Sequence, residues 1–198
     1  MTQTERSALF ASTVTIFMAP FMATSVNVAL PAIQADLAAD AVQLSWVATA
    51  YILAMAMAMI PVGRFADIHG RKKVFLAGIV TYSISCSATA LVPSISWLIA
   101  LRVVQGFGAA LFISTGMAIL TSIFPPERRG RAMGIYTAAV YLGASVGPFV
   151  GGLITRHLGW RSIFVIMLLL GVASFVAVIR NIKAEWADAR GEPLDITG

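Results

Sequence analysis

Few residues in this chain can do chemistry away from its polar edges, and the most unusual is Arg102. It stands in "SWLIALRVVQGFGAALFI", residues 96–113, a run that is otherwise almost wholly apolar. An arginine keeps its proton in a protein. The roles open to it there are anion pairing, charge compensation for a proton carrier, and donation to buried carbonyls. Gln105, at i+3, shares its helical face. Asn27, with Thr24 and Ser25, places further polar atoms in the first apolar run. The nine acidic residues all fall in predicted loops or tails. His69 and His157 read as solvated loop residues, and Cys86 as a packed thiol. No Ser/His/Asp, Cys/His or metal-ligand spacing is present, so the expectation is no enzyme, no catalytic residue and no metal.

An arginine in such a run needs a special setting, and composition says which. Hydrophobic residues make up 59% of the 198 and charged residues 12%, with a mean hydropathy of +0.85. A soluble domain is about half apolar and a quarter charged. The apolar residues fall in six blocks, near 9–31, 45–64, 74–92, 97–123, 132–155 and 160–180, each close to the roughly 20 residues that cross a bilayer. The expected fold is all-α: six transmembrane helices in one bundle over residues 1–180, with 181–198 as a cytoplasmic linker or tail.

The net charge of +5 does not point to nucleic acid, because the cations sit in short loops. Arg64, Arg71, Lys72 and Lys73 follow the second span, and Arg128, Arg129 and Arg131 follow the fourth. By the positive-inside rule both termini are cytoplasmic. Arg156 and Arg161 fall on the other side without reversing the bias. In hydrocarbon an arginine at a helix centre costs roughly 2.5–3.5 kcal/mol. Arg102 lies about five residues from the outer end, roughly 8 Å deep. The expectation is an interior-facing side chain with some room to snorkel.

Two stretches have physical readings of their own. "GRFADIHGRKKVF", residues 63–75, joins the second and third spans through a short loop and predicts that they are antiparallel neighbours. In it Gly63 and Gly70 supply close approach and unusual backbone angles. Asp67 can accept from amides at a helix start, and Arg71, Lys72 and Lys73 lie at headgroup level. "GASVGPFVGG" in the fifth span sets Gly143, Gly147 and Gly151 four residues apart. They form a smooth stripe for a neighbouring helix, flanked by Gly152 and by Pro148, which removes a backbone donor. That stripe reads either as tight static packing or as a sealing hinge.

Together these motifs resemble the major facilitator superfamily of transporters. Residues 63–75 resemble its loop signature, and "LRVVQGFGAAL" resembles its arginine-bearing fourth helix at Arg102, Gln105, Gly106 and Gly108. "GASVGPFVGG" resembles its antiporter signature, while "NVALPAIQADL" and "GWRSIF" resemble the fourteen-span drug/proton antiporter branch. The resemblance implies two inverted three-helix repeats and a gating role for residues 63–72. It implies a hinge at 143–152 and export of small, amphipathic solutes by rocking, with the proton motive force as energy source and no cofactor. It places the chain in a bacterial or archaeal plasma membrane as a multi-pass protein, with lipid, a small-molecule substrate and a second six-helix half as partners. It also puts Met22 where that branch commonly has an Asp, leaving Arg102 without its most obvious counter-ion and Asp36 as the nearest acidic candidate. Met22 and Asn27 are then candidate cavity residues, although methionines in spans are as often core or lipid-facing. The runner-up reading is a half-size, non-transporting membrane module that pairs with itself or another chain.

Overall fold

The computed structural model describes residues 1–182, so residues 183–198 of the expected linker lie outside the described residues. Six helices follow in order: α1 (Gln3–Leu37), α2 (Ala41–His69), α3 (Arg71–Ala90), α4 (Ile95–Ile123), α5 (Pro126–Leu158) and α6 (Arg161–Asn181). All six are long and apolar enough to cross a membrane. No strand occurs among the described residues. Local sequence sets where they start and stop. Thr2 and Glu5 form a capping box at α1, and Asp40 with Gln43 forms another at α2, each satisfying amides left free at a helix start. Pro126 opens α5, where its missing N–H costs nothing.

Most helices run further than hydropathy alone predicts. α1 and α5 have 35 and 33 residues, because caps and polar end turns extend them beyond the apolar blocks. The clearest correction concerns residues 63–75. The expected loop is helix on both sides of one residue, Gly70, at φ 107° and ψ 123°, a region that L side chains rarely adopt. Gly63 lies inside α2, and a Cβ built on it meets nothing within 4 Å. The expected α2–α3 neighbourhood also fails. The two helices barely touch beyond their junction, and each packs instead on α4.

The packing has an internal symmetry. The extensive pairings are α1 with α5 and α2 with α4; α3 with α4 and α1 with α6; and α1 with α4 and α3 with α6. Exchanging α1, α2, α3 for α4, α5, α6 maps this pattern onto itself, as inverted three-helix repeats require. The two inter-helix joints match as well. Gly159, at φ 84°, ends α5 as Gly70 ends α2. Val74 and Phe75 after one joint and Ile163 and Phe164 after the other are all buried. Thr4 Oγ1 donates to the Asn181 carbonyl at 3.1 Å, so the two ends of the bundle lie on the same face.

The expected glycine stripe on α5 faces α1. A Cβ on Gly143 would lie 2.5 Å from the Phe17 carbonyl oxygen, one on Gly147 1.9 Å from Thr24 Oγ1, and one on Gly151 2.5 Å from Ser25 Cβ. Gly152 meets only Val28, at an ordinary 3.4 Å. Pro148, on the exposed side, sits within an unbroken α5. Overpacking of this kind costs roughly 1–3 kcal/mol. Gly151→Ala is therefore expected to lower the thermal unfolding midpoint in detergent, whereas Gly134→Ala, with open space around its Cβ, leaves it equal or raised. Equal melting of both variants would remove the close-approach argument.

Candidate functional site

The arginine that hydropathy leaves unexplained is solved by four helices at once. Arg102 is 1% exposed, in the interior of the bundle, so snorkelling to an outer surface plays no part. Its Nε donates to the Val47 carbonyl of α2 at 3.0 Å, and its Nη1 to Gln105 Oε1 at 3.1 Å. The guanidinium carbon lies 4.1 Å from the centre of the Tyr51 ring, where the π face attracts a cation. Gln105 then passes the chain of donors to α3, giving from Nε2 to Thr89 Oγ1 at 3.1 Å and to Cys86 Sγ at 3.8 Å. Tyr51 donates its hydroxyl to the Ala19 carbonyl of α1 at 3.2 Å.

No carboxylate among the described residues belongs to this network. The acidic residues among the described ones are Glu5, Asp36, Asp40, Asp67 and Glu127, and each stands at or beside a helix end. The charge of Arg102 is met by a carbonyl, an amide oxygen and an aromatic face. Such groups stabilise a cation without giving it a proton-exchanging partner. In chemical terms the site can orient and hold a fixed positive charge. Its own described atoms offer no titrating relay.

Asp36 does not serve as counter-ion to Arg102. Its Oδ2 accepts from Trp160 Nε1 at 3.1 Å and from Arg161 Nη1, while Arg161 Nη2 donates to the Val92 carbonyl at 3.0 Å. Arg161 also lies over the Trp160 ring, 4.3 Å from its centre. These contacts clasp the end of α1 to the start of α6 and to the turn before α4. The Arg161 hydrogen bond, followed by that from Trp160, holds the Asp36 carboxyl below its ordinary value.

On the opposite face Asp67 departs from expectation as well. It accepts from the Arg71 side chain, Nε to Oδ1 at 2.9 Å, rather than capping α3, whose start has no side-chain cap. Arg71 Nη1 also donates to Ser122 Oγ at 3.4 Å, in the last turn of α4. Lys72 is half-buried beside it. Asp67, Gly70, Arg71 and Lys72 thus form one joint, separate from the Arg102 network, while Gly63 stands two turns before it inside α2 and takes no part.

The other candidates lie apart. Met22 is 0% exposed and packs in the helix core, so it lines no open surface in the described residues. Asn27 is exposed on α1 and makes no bond to Arg102. Sequence reasoning missed Tyr51, Thr89 and Cys86 as members of the network. The available signal was slight: Tyr51 is the one aromatic hydroxyl in the span at 45–64, and Cys86 and Thr89 sit on one helical face at i, i+3.

A sequence profile described as Major Facilitator Superfamily matches residues 13–193. The chain is similar to the tetracenomycin C resistance and export protein of Streptomyces glaucescens, with 32% identity over 96% of the chain and 35% of the relative. It is similar to the riboflavin transporter RibZ of Clostridioides difficile, 32% identical over 92% of the chain and 40% of the relative. It also resembles the multidrug resistance protein Stp of Mycobacterium tuberculosis, 35% identical over 100% of the chain and 37% of the relative. The chain therefore spans well under half the length of these relatives.

Two outcomes are expected of the polar clusters. Arg102→Lys keeps the charge but cannot reproduce the fork to Val47 and Gln105, and should cost roughly 2–3 kcal/mol. Tyr51→Phe keeps the ring and should cost about 1 kcal/mol. Chemical or thermal unfolding in detergent checks the order of the two. The lowered Asp36 pKa contributes stability at pH above the ordinary carboxylate value of 3.8. That contribution is lost as pH falls further, through the folded-state pKa. Below about pH 4, Asp36→Asn should therefore lose less thermal stability with falling pH than the unaltered chain; parallel curves would count against the clasp.

Proposed function

The chain belongs to the Major Facilitator Superfamily, and from that premise we propose that it forms the N-terminal six-helix half of a secondary transporter. The transporter exports small amphipathic solutes across a bacterial plasma membrane. The observation that carries the reading is the Arg102 network, a desolvated fixed cation whose contacts among the described residues all lie within the six-helix bundle. An arginine buried at that cost marks a functional interior rather than a lipid-facing accident. The relatives named above, a tetracenomycin C resistance and export protein, a riboflavin transporter and a multidrug resistance protein, support small organic solutes as cargo.

A single six-helix half supplies one wall of a cavity, so transport needs a second half, and access alternates by rocking of one half against the other. The face that carries both ends of the bundle also carries Arg64, Arg71, Lys72, Lys73, Arg128, Arg129 and Arg131, and we place it in the cytoplasm. The energy source in this reading is the proton motive force. The titrating group is supplied from outside the described residues, since Met22 offers no proton and Asp36 is engaged in its clasp. The chain has no enzymatic role here and needs no metal or cofactor.

The test is reconstitution of the chain with its second half in proteoliposomes. Riboflavin and tetracenomycin C are supplied as solutes, a trapped pH dye reads proton movement, and an impermeant thiol reagent at Arg129→Cys reports sidedness. Solute flux with opposing proton movement is expected. Asp36→Asn should retain it, and Arg102→Ala should lower it at least tenfold, which is about 1.4 kcal/mol of barrier, in protein still folded in the membrane. No flux of either solute would overturn the export reading, and flux without proton movement would overturn the coupling. Labelling of Arg129→Cys from the outside would reverse the orientation.

A further inference from the structure

Glycines at 143, 147 and 151 hold α5 against α1 in the middle of the bundle, but at the face where both helices start they leave a cavity. It encloses about 480 Å³, with Leu9 of α1, Phe124 before α5, and Arg128, Arg131 and Ile135 of α5 among its walls. A shallower trough of about 370 Å³ adjoins it and shares Leu9 and Ile135. That trough runs along α1 past Phe10 to Val14, and Arg6 lies beside it.

The lining changes character with depth. Arg6, Arg128 and Arg131 are exposed and come just before the apolar blocks that open near 9 and 132. Leu9, Phe10, Val14 and Ile135 come just after. The change therefore falls where a bilayer passes from headgroups to hydrocarbon. Charge at the mouth is unbalanced. Arg6, Arg128, Arg129 and Arg131 stand there with Glu5 and Glu127 as the acids. Glu5 is already engaged, accepting from the Thr2 amide at 2.9 Å and lying 3.6 Å from Arg128 Nη1. Arg129 donates from Nε to the Phe124 carbonyl at 2.9 Å. Arg6 and Arg131 make no ion pair among the described residues.

A cationic mouth over an apolar trough sorts its ligands. A soluble phosphate would meet the arginines and leave the trough unused. A zwitterionic lipid carries its own cation beside its phosphate, and an uncharged one offers the arginines nothing. An anionic phospholipid matches both parts, since guanidinium groups fork onto phosphate oxygens and basic pockets between membrane helices hold such headgroups. We infer that this site binds one anionic phospholipid, its phosphate held by Arg6, Arg128 and Arg131 and one acyl chain laid in the α1–α5 trough. Eight residues separate Arg6 from Val14, roughly 12 Å along the helix, which seats the upper part of that chain. Such a site needs only a chain that spans a bilayer, and it stands or falls apart from export and proton coupling.

The test is native mass spectrometry of the chain released from nanodiscs holding phosphatidylglycerol and phosphatidylcholine in equal amounts. A phosphatidylglycerol with a diazirine near the top of one acyl chain maps the contact. Phosphatidylglycerol should be retained at least roughly tenfold over phosphatidylcholine, with cross-links concentrated on residues 6–14 and 128–135. Arg6→Gln and Arg131→Gln should each weaken retention roughly fivefold, the share of one arginine at an anionic headgroup. Arg156→Gln, at the far end of α5, should leave it unchanged. Ile135→Trp, which fills the trough and keeps every arginine, should also weaken it. Equal retention of the two lipids would overturn the inference, as would retention indifferent to both Arg6→Gln and Arg131→Gln. Competition by glycerol 3-phosphate as strong as that by the intact lipid would assign the mouth to a soluble phosphate instead. Cross-linking that persists when the chain is reconstituted with its second half supports the lipid site; cross-linking that disappears means that half covers the cavity, and the inference falls. If Ile135→Trp does not fold, the two arginine variants decide.

Discussion

Close approach of helix backbones is the constraint on which the rest of this bundle depends. Lipid tails are as apolar as leucine, so burying apolar side chains gives little drive for helices to associate in a bilayer. Association has to come from dispersion over closely fitted surfaces and from a few buried hydrogen bonds. The chain answers with glycine at crossing after crossing. Gly106 sets α4 on α2 with room for only a hydrogen against the Tyr51 carbonyl, and Gly78 and Gly108 do the same reciprocally between α3 and α4. Gly143, Gly147 and Gly151 seat α5 on α1, and Gly171 seats α6 on α3. The arginine site inherits its geometry from these contacts. The residue beside Gly106 is Gln105, and the backbone pressed against Gly106 is that of Tyr51, whose ring stacks on Arg102. A Cβ at 106 would push α2 away and with it both Val47 and Tyr51.

With the helices this close, a buried cation can be satisfied without a buried anion. An ion pair in the core has a large desolvation cost on both partners, and here only one charge is desolvated. The Val47 carbonyl, the Gln105 amide and the Tyr51 face share it. At the two ends of the bundle arginines serve differently, and symmetrically. Arg71, the first residue of α3, reaches the last turn of α4 at Ser122. Arg161, the first residue of α6, reaches the last turn of α1 at Asp36. The inverted repeat therefore extends beyond helix packing to the way each joint is fastened, with a glycine at positive φ, an arginine after it and an acceptor on the opposite central helix.

Much of this was legible in the sequence because it is written in type and spacing. Six apolar blocks give six helices, glycines four apart give a packing stripe, and an arginine flanked by apolar residues must turn inward. What was not legible depends on distance through space. The loop expected at 63–75 is helical to within one residue, since polar side chains at a membrane edge end an apolar run without ending a helix. Asp36 looked like a counter-ion because nothing in the sequence says that Trp160 and Arg161 stand over it. α2 and α3 looked like neighbours because a short connection limits separation only at the joint. Beyond the joint the glycines on α4 draw each helix to its own side. Met22, judged by its place in a motif, is core because its side of α1 faces its own half.

That the partners of Arg102 among the described residues all lie within this six-helix bundle bears on how the bundle would move in the proposed transporter. A charge held by contacts to an opposing domain would resist rocking at each cycle, because its partners would have to be exchanged in hydrocarbon. Here α1, α2, α3 and α4 share one polar network, and clasps at both ends tie α1 to α6 and α3 to α4. A rigid-body rotation of the whole bundle leaves each of these bonds intact and breaks none in the apolar interior. In the proposed rocking, the work of changing access would then fall on surfaces that this bundle leaves open, chiefly the outer faces of α2 and α5. There Met57, Ile60, Tyr141 and Phe149 stand exposed and no buried charge has to be moved.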